Sequence, residues 1–111
     1  MGVISGIHHV SMKCKSGEEY DNVVSFYTEV LGLKVARTWA MGIMFDAGNA
    51  LIEVFANAEN KLGQGVIEHF AFATDNVDLC IDKVRAAGYE ITVEPKDVII
   101  PSDPAFPARV A

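Results

Sequence analysis

Basic residues are scarce and scattered in this chain of 111 residues. Nine Lys and Arg stand against fifteen Asp and Glu, a net charge of −6, and they form no basic stripe. An acidic surface repels phosphate, so no nucleic-acid partner is expected. Uninterrupted apolar runs are short. None approaches the roughly 18 residues that a bilayer-crossing helix needs, so no membrane partner is expected either. Cysteine is sparse: Cys14 and Cys80 match no metal or redox spacing and read as two buried thiols in a reducing cytoplasm. The segment Met1-Gly2-Val3-Ile4-Ser5-Gly6 holds no charged stretch and no small-residue cleavage site, so no secretory leader is expected. Gly6 also stands where a myristoylation signal wants Ser or Thr. No Asn-x-Ser/Thr acceptor occurs. What the chain has in quantity is apolar residues, 50% of the total. That is enough for a core at a length that suits one domain.

Residues 4–14 alternate, with Val10, Met12 and Cys14 on one side and Ile7, His9, Ser11 and Lys13 on the other, which is strand periodicity. Ser16 followed by Glu19 has the form of a capping box. Tyr20, Val24, Tyr27 and Leu31 then make a helical stripe, widened by Val23, Phe26 and Val30, and Gly32 stands where a left-handed residue ends a helix. Three strands are predicted at 33–39, 42–47 and 50–57, broken by Met41-Gly42 and Gly48-Asn49. Residues 57–64 read as a surface loop and 66–73 as a further strand. Asn76 or Thr74 caps a second helix with Val77, Cys80, Ile81 and Val84 on one face, and Ala86-Ala87-Gly88 ends it. Residues 89–93 read as a strand. All four prolines fall within 95–107, which reads mostly as loop, either a lid or a plain crossing.

The pattern repeats. Ile7-His8-His9-Val10-Ser11-Met12 is matched by Ile67-Glu68-His69-Phe70-Ala71-Phe72, and each is followed by a helix that ends in Leu31-Gly32 or Ala87-Gly88. The expectation is two βαβββ modules, the second incomplete, with its fourth strand beyond Ala111.

Ile7-His8-His9-Val10, the block Ser25-Phe26-Tyr27-Thr28-Glu29-Val30-Leu31-Gly32-Leu33, then Leu51-Ile52-Glu53-Val54 and Glu68-His69-Phe70-Ala71-Phe72 together resemble the vicinal oxygen chelate superfamily. That group includes glyoxalase I, methylmalonyl-CoA epimerase, extradiol dioxygenases and the bleomycin-resistance proteins. The resemblance spans about residues 4–93 and is nearest in pattern to glyoxalase I. It implies an α+β fold, a single domain over 1–111 with paired βαβββ modules at about 4–57 and 66–111, whose sheets curl into an open cup around a divalent metal. It also implies a homodimer. His9, Glu53 and His69 match three of the family's ligand positions. The fourth, a Glu on the last strand, has no counterpart.

Parity agrees with those positions. His9 shares a strand face with Ser11 and Lys13, Glu53 with Leu51 and Phe55, and His69 with Ala71 and Ala73, each away from its apolar neighbours. Two imidazoles and a carboxylate suit Zn, Ni, Co, Mn or Fe(II). His8 is the register alternative to His9, at the cost of inverting the apolar face. A Lewis-acidic ion would make the proton beside a carbonyl removable, and Glu53 is the expected base. The activity expected is therefore that of a metal-dependent glyoxalase-like lyase or isomerase acting on a small oxygenated substrate. Two alternatives stand beside it. One is a non-catalytic small-molecule binding protein. The other is an Fe(II) dioxygenase, since two His and one carboxylate also describe a facial triad.

Overall fold

The computed structural model describes residues 4–59 and 69–111. The chain divides into two compact units, Met1–Glu68 and His69–Ala111. The fold is α+β, as expected.

The first unit is a complete βαβββ module. Its strands are β1 (His9–Lys13), β2 (Lys34–Trp39), β3 (Gly42–Asp46) and β4 (Leu51–Phe55), and its helix is α1 (Glu18–Ser25), continued by a π-helical turn over Phe26–Val30. The sheet order is β1-β4-β3-β2, with β1 parallel to β4 and the other pairs antiparallel. Alternation decides which face is which. Ile43, Phe45, Ile52 and Val54 point to one side and are buried with Cys14 and Tyr27, and Val10, Met12, Val23, Val24 and Leu31 pack against them. That face is the core between sheet and helix. The opposite face carries His9, Ser11, Glu53 and their register partners.

The connections depart from the sequence reading in detail. Ser16 does not cap α1. Gly17 is the N-cap residue, without a side-chain hydrogen bond, and the Glu19 carboxylate accepts instead from the Lys15 N–H at 3.0 Å. Half of the expected box therefore forms, shifted by one residue. Gly32 does take the left-handed conformation, with φ +73°. The helix reaches it through the π turn, in which the Leu31 N–H donates to the Phe26 carbonyl at 3.0 Å. The Thr28 hydroxyl donates to the Val24 carbonyl at 2.8 Å, which competes with the regular ladder at that point.

The second unit contains α2 (Val77–Ala86) and a two-stranded antiparallel sheet of β5 (Lys96–Ile100) and β6 (Phe106–Val110). Asn76 caps α2, accepting from the Leu79 N–H at 3.0 Å, and Thr74 accepts from the Asn76 N–H at 3.1 Å. Val77, Cys80, Ile81 and Val84 are the half-buried stripe of α2, as its spacing predicts.

Two expectations for this half are corrected. Residues 89–93 form no strand, and the segment read as loop contains the hairpin. Pro101 and Pro104 lie in its connection, while Pro107 sits in β6 opposite Ile99. Each strand of a two-stranded sheet has a free edge, so a residue without an N–H is tolerated there. The strand expected at 66–73 is likewise absent over 69–73, and residues 66–68 lie outside the described residues. So do residues 60–64 of the predicted loop. The Phe70 and Phe72 rings, expected on one side of this segment, meet edge to face at 5.5 Å.

Candidate metal centre

The sheet face turned away from α1 is organised by register into three rows. The first runs Lys34, Asp46, Leu51, His9. The second runs Arg37, Met44, Glu53, Ser11. The third runs Trp39, Gly42, Phe55, Lys13. A parallel β1–β4 pair thus brings His9 beside Glu53 although almost the whole module separates them in sequence. The His9 Nε2 and the Glu53 Oε1 are 3.8 Å apart.

That separation is too long for a hydrogen bond. It is close to the spacing of two ligands on one tetrahedral ion, about 3.4 Å for metal–ligand bonds near 2.1 Å. The environment of Glu53 points the same way. Its side chain is 13% exposed, and no described donor hydrogen-bonds it. A cation between this carboxylate and the His9 imidazole would give its oxygens the partner that no described hydrogen-bond donor supplies. These two residues fit a divalent ion.

The other ring nitrogen of His9 is engaged. The Nδ1 atoms of His8 and His9 are 2.9 Å apart, so one ring donates and the other accepts. With the His9 Nδ1–H as the donor of that bond, Nε2, the atom facing Glu53, carries the lone pair a metal needs. His8 immediately precedes β1. Its carbonyl accepts from the Leu51 N–H at 2.9 Å and so helps to set the β1–β4 register.

His69 is exposed and opens the second unit. Among the described residues no three His, Cys, Asp or Glu side chains gather as a metal-holding group. Below the site, burial pushes the Cys14 thiol up, helped by the charge of Glu19, and Cys14 is fully buried. It is a core residue, as its spacing suggested, whereas Cys80 is only half-buried. Sequence reasoning did not pick out Arg37, Trp39 and Met44, which share the face of Glu53. The signal was available: Met41-Gly42 marks the β2–β3 turn, and counting outward from it puts Trp39 and Arg37 in register with Gly42 and Met44.

The model of the Glyoxalase/Bleomycin resistance protein/Dioxygenase superfamily matches residues 6–102. The chain belongs to this superfamily. Lactoylglutathione lyase GLX1 of Arabidopsis thaliana is 30% identical over 93 residues, covering 72% of this chain. The chain spans about a third of that relative, 32% of its length. Among solved structures, the lactoylglutathione lyase from Agrobacterium tumefaciens aligns with a TM-score of 0.65 at 20% identity, covering 90% of this chain and 81% of that one. An integron cassette protein from the mobile metagenome of V. cholerae aligns with a TM-score of 0.57 at 21% identity, over 98% of this chain and 87% of its own. These likenesses bear out the glyoxalase-type fold. No described helix is long and apolar enough to cross a membrane.

Proposed function

We propose that this protein is a metal-dependent lyase or isomerase of the glyoxalase type, acting on a small oxygenated substrate. The observation that carries the reading is the facing pair of His9 and the largely buried, otherwise unpartnered Glu53. The similarity to a lactoylglutathione lyase supports it. In this reading His9 and Glu53 hold a divalent ion, and His69 of the second module is the third ligand. When bound, the ion supplies Lewis acidity that makes the proton beside a substrate carbonyl easier to remove. Glu53 is the base: one carboxylate oxygen takes the proton from carbon and returns it to the neighbouring carbon. His8 holds the His9 ring so that Nε2 stays turned to Glu53. Leu51 and Phe55, on either side of Glu53 along β4, limit the water around that carboxylate.

Elemental analysis of protein purified without an affinity tag or chelator tests the ion. Near-stoichiometric metal that is lost in His9→Ala, Glu53→Ala and His69→Ala supports the reading, as does turnover of hemithioacetals. No metal in the parent protein after exposure to Zn, Ni, Co, Mn and Fe(II) sinks it. Tight small-molecule binding that is indifferent to chelator would then favour a non-catalytic binding protein. Oxygen uptake with a catechol would favour a dioxygenase.

We also propose a homodimer. The second unit exposes Ile99 and Phe106, at 72% and 59%, and both hairpin edges are unpaired within it. A sharp monomer in sedimentation at micromolar concentration would count against pairing.

A further inference from the structure

We propose that Arg37 and Trp39 form an anion-selective subsite beside Glu53, which takes the carboxylate tail of an elongated substrate with an apolar body. The inference rests on the reading that His9 and Glu53 mark the reacting end, and it adds the class of molecule that end serves.

The three arginines differ in one respect. Arg85 pairs with Glu94 through two contacts, and Arg109 pairs with both Asp78 and Asp97. Arg37 has no carboxylate within ion-pair distance among the described residues, and it is exposed on the face that carries Glu53. Its guanidinium lies 5.8 Å from the centre of the Trp39 ring. Contact with an aromatic face positions the planar fork while leaving its N–H groups free for a carboxylate.

Trp39 is itself held. Its register partner is Gly42, and a Cβ on that glycine would lie 2.7 Å from the indole Cζ2. Only a residue without a side chain lets the ring come so close to β3. Phe55 meets the same ring edge to face at 5.4 Å. Trp39 and Phe55 are both half-buried, so each keeps some surface for an apolar group.

The rows supply a ruler. Arg37 and Glu53 stand in one row on strands separated only by β3. Two strand spacings put them about 10 Å apart at the backbone. Met44 stands between them in that row and is buried, so a ligand with its oxygens at Glu53 and its carboxylate at Arg37 would pass above it, beside the Trp39–Phe55 pair. Among the described residues of this sheet face, the charges along the path are few. Lys13 ends the aromatic row, Asp46 stands opposite Lys34 in the next row, and Glu53 lies at the far end.

Trp39 is the single tryptophan of the chain, so its fluorescence reports ligand binding without any need for turnover. The test titrates the full chain with 4-phenylbutyrate and with its neutral counterpart, 4-phenylbutanol. Zinc content is measured on the same samples. The parent protein should bind the carboxylate about tenfold more tightly than the alcohol. Arg37→Gln and Arg37→Met should bind the two alike with zinc content unchanged, and Arg37→Lys should keep part of the preference. The subsite is overturned if the parent binds both probes equally, if neither probe alters the fluorescence, or if Arg37→Met keeps the preference. A parent that binds no zinc but shows an Arg37-dependent preference sinks the metal reading and leaves the subsite standing.

Discussion

The two units of this chain are held together by different physics. In the first, a four-stranded sheet buries Phe45, Val54, Ile52 and Ile43 against α1. In the second, no described residue is fully buried, and charged forks do the joining. Arg109 ties β6 to the first turn of α2 through Asp78, with contacts of 2.7 and 2.9 Å, and Arg85 ties the last turn of α2 to Glu94. Burial of apolar area does not depend on pairing of charges. Exposed ion pairs are weak and easily screened. It is in the first unit, beside that core, that His9 and Glu53 meet.

The sharpest way to break this contrast is to cut into each half in turn. Phe45→Ala should cost about 3–5 kcal/mol, because it empties the centre of a closed core. Val98→Ala, at the one half-buried position of exposed β5, should cost under about 1 kcal/mol. Hydrogen exchange resolved by segment would check both, and comparable losses in the two units would refute the contrast.

Gly42→Ala should come next, at about 1–3 kcal/mol. The new methyl would sit 2.7 Å from Trp39 Cζ2 and 2.7 Å from the Val54 carbonyl oxygen, and the second of these is backbone that cannot swing aside. Chemical denaturation followed by Trp39 emission would give both the loss of stability and the displacement of the ring. In the second unit, Asn76→Ala should cost about 1 kcal/mol through loss of the α2 cap, seen as faster exchange at the Leu79 amide.

The smallest effect is one of pH. The Arg109 fork holds the Asp78 carboxyl below its usual range, and Arg85 does the same for Glu94. A depressed carboxylate stabilises the folded form above the unfolded value, about pH 4, and that contribution is lost as the pH falls through the folded value. The second unit should loosen in acid before the core of the first does. Amide exchange compared at pH 6 and pH 3, after correction for intrinsic rates, would show it. A uniform response of both units would remove the distinction.

The same contrast explains what was legible in the sequence. In the first unit Val10, Met12 and Cys14 alternate because one face of β1 is buried and the other is not, so parity alone separates His9 from the core. The β2, β3 and β4 limits agree with the glycine punctuation to within a residue or two. The cap of α1 was misplaced because Ser16 and Glu19 satisfy the box in sequence, while the chain turns at Gly17, whose φ is +86°. In the second unit the α2 stripe keeps its period, but outside the helix burial is too slight to impose one. Tyr89 and Val93 are both exposed, and their apolar character imitated a strand. The prolines hid the hairpin, because a residue that excludes a central strand is acceptable at an edge. The π turn left no mark in composition at all.

The strand order β1-β4-β3-β2 makes the first and last strands of the module neighbours. Pairing them is a ring closure that joins the two ends of the segment, the pairing of greatest sequence separation in the sheet. His9 and Glu53 are partners only after that closure. An ion that binds the pair therefore acts as a clasp, drawing the module shut by mass action and slowing its opening. Added zinc should accordingly protect the β1–β4 amides from exchange more than those of β2, where no clasp spans the ladder.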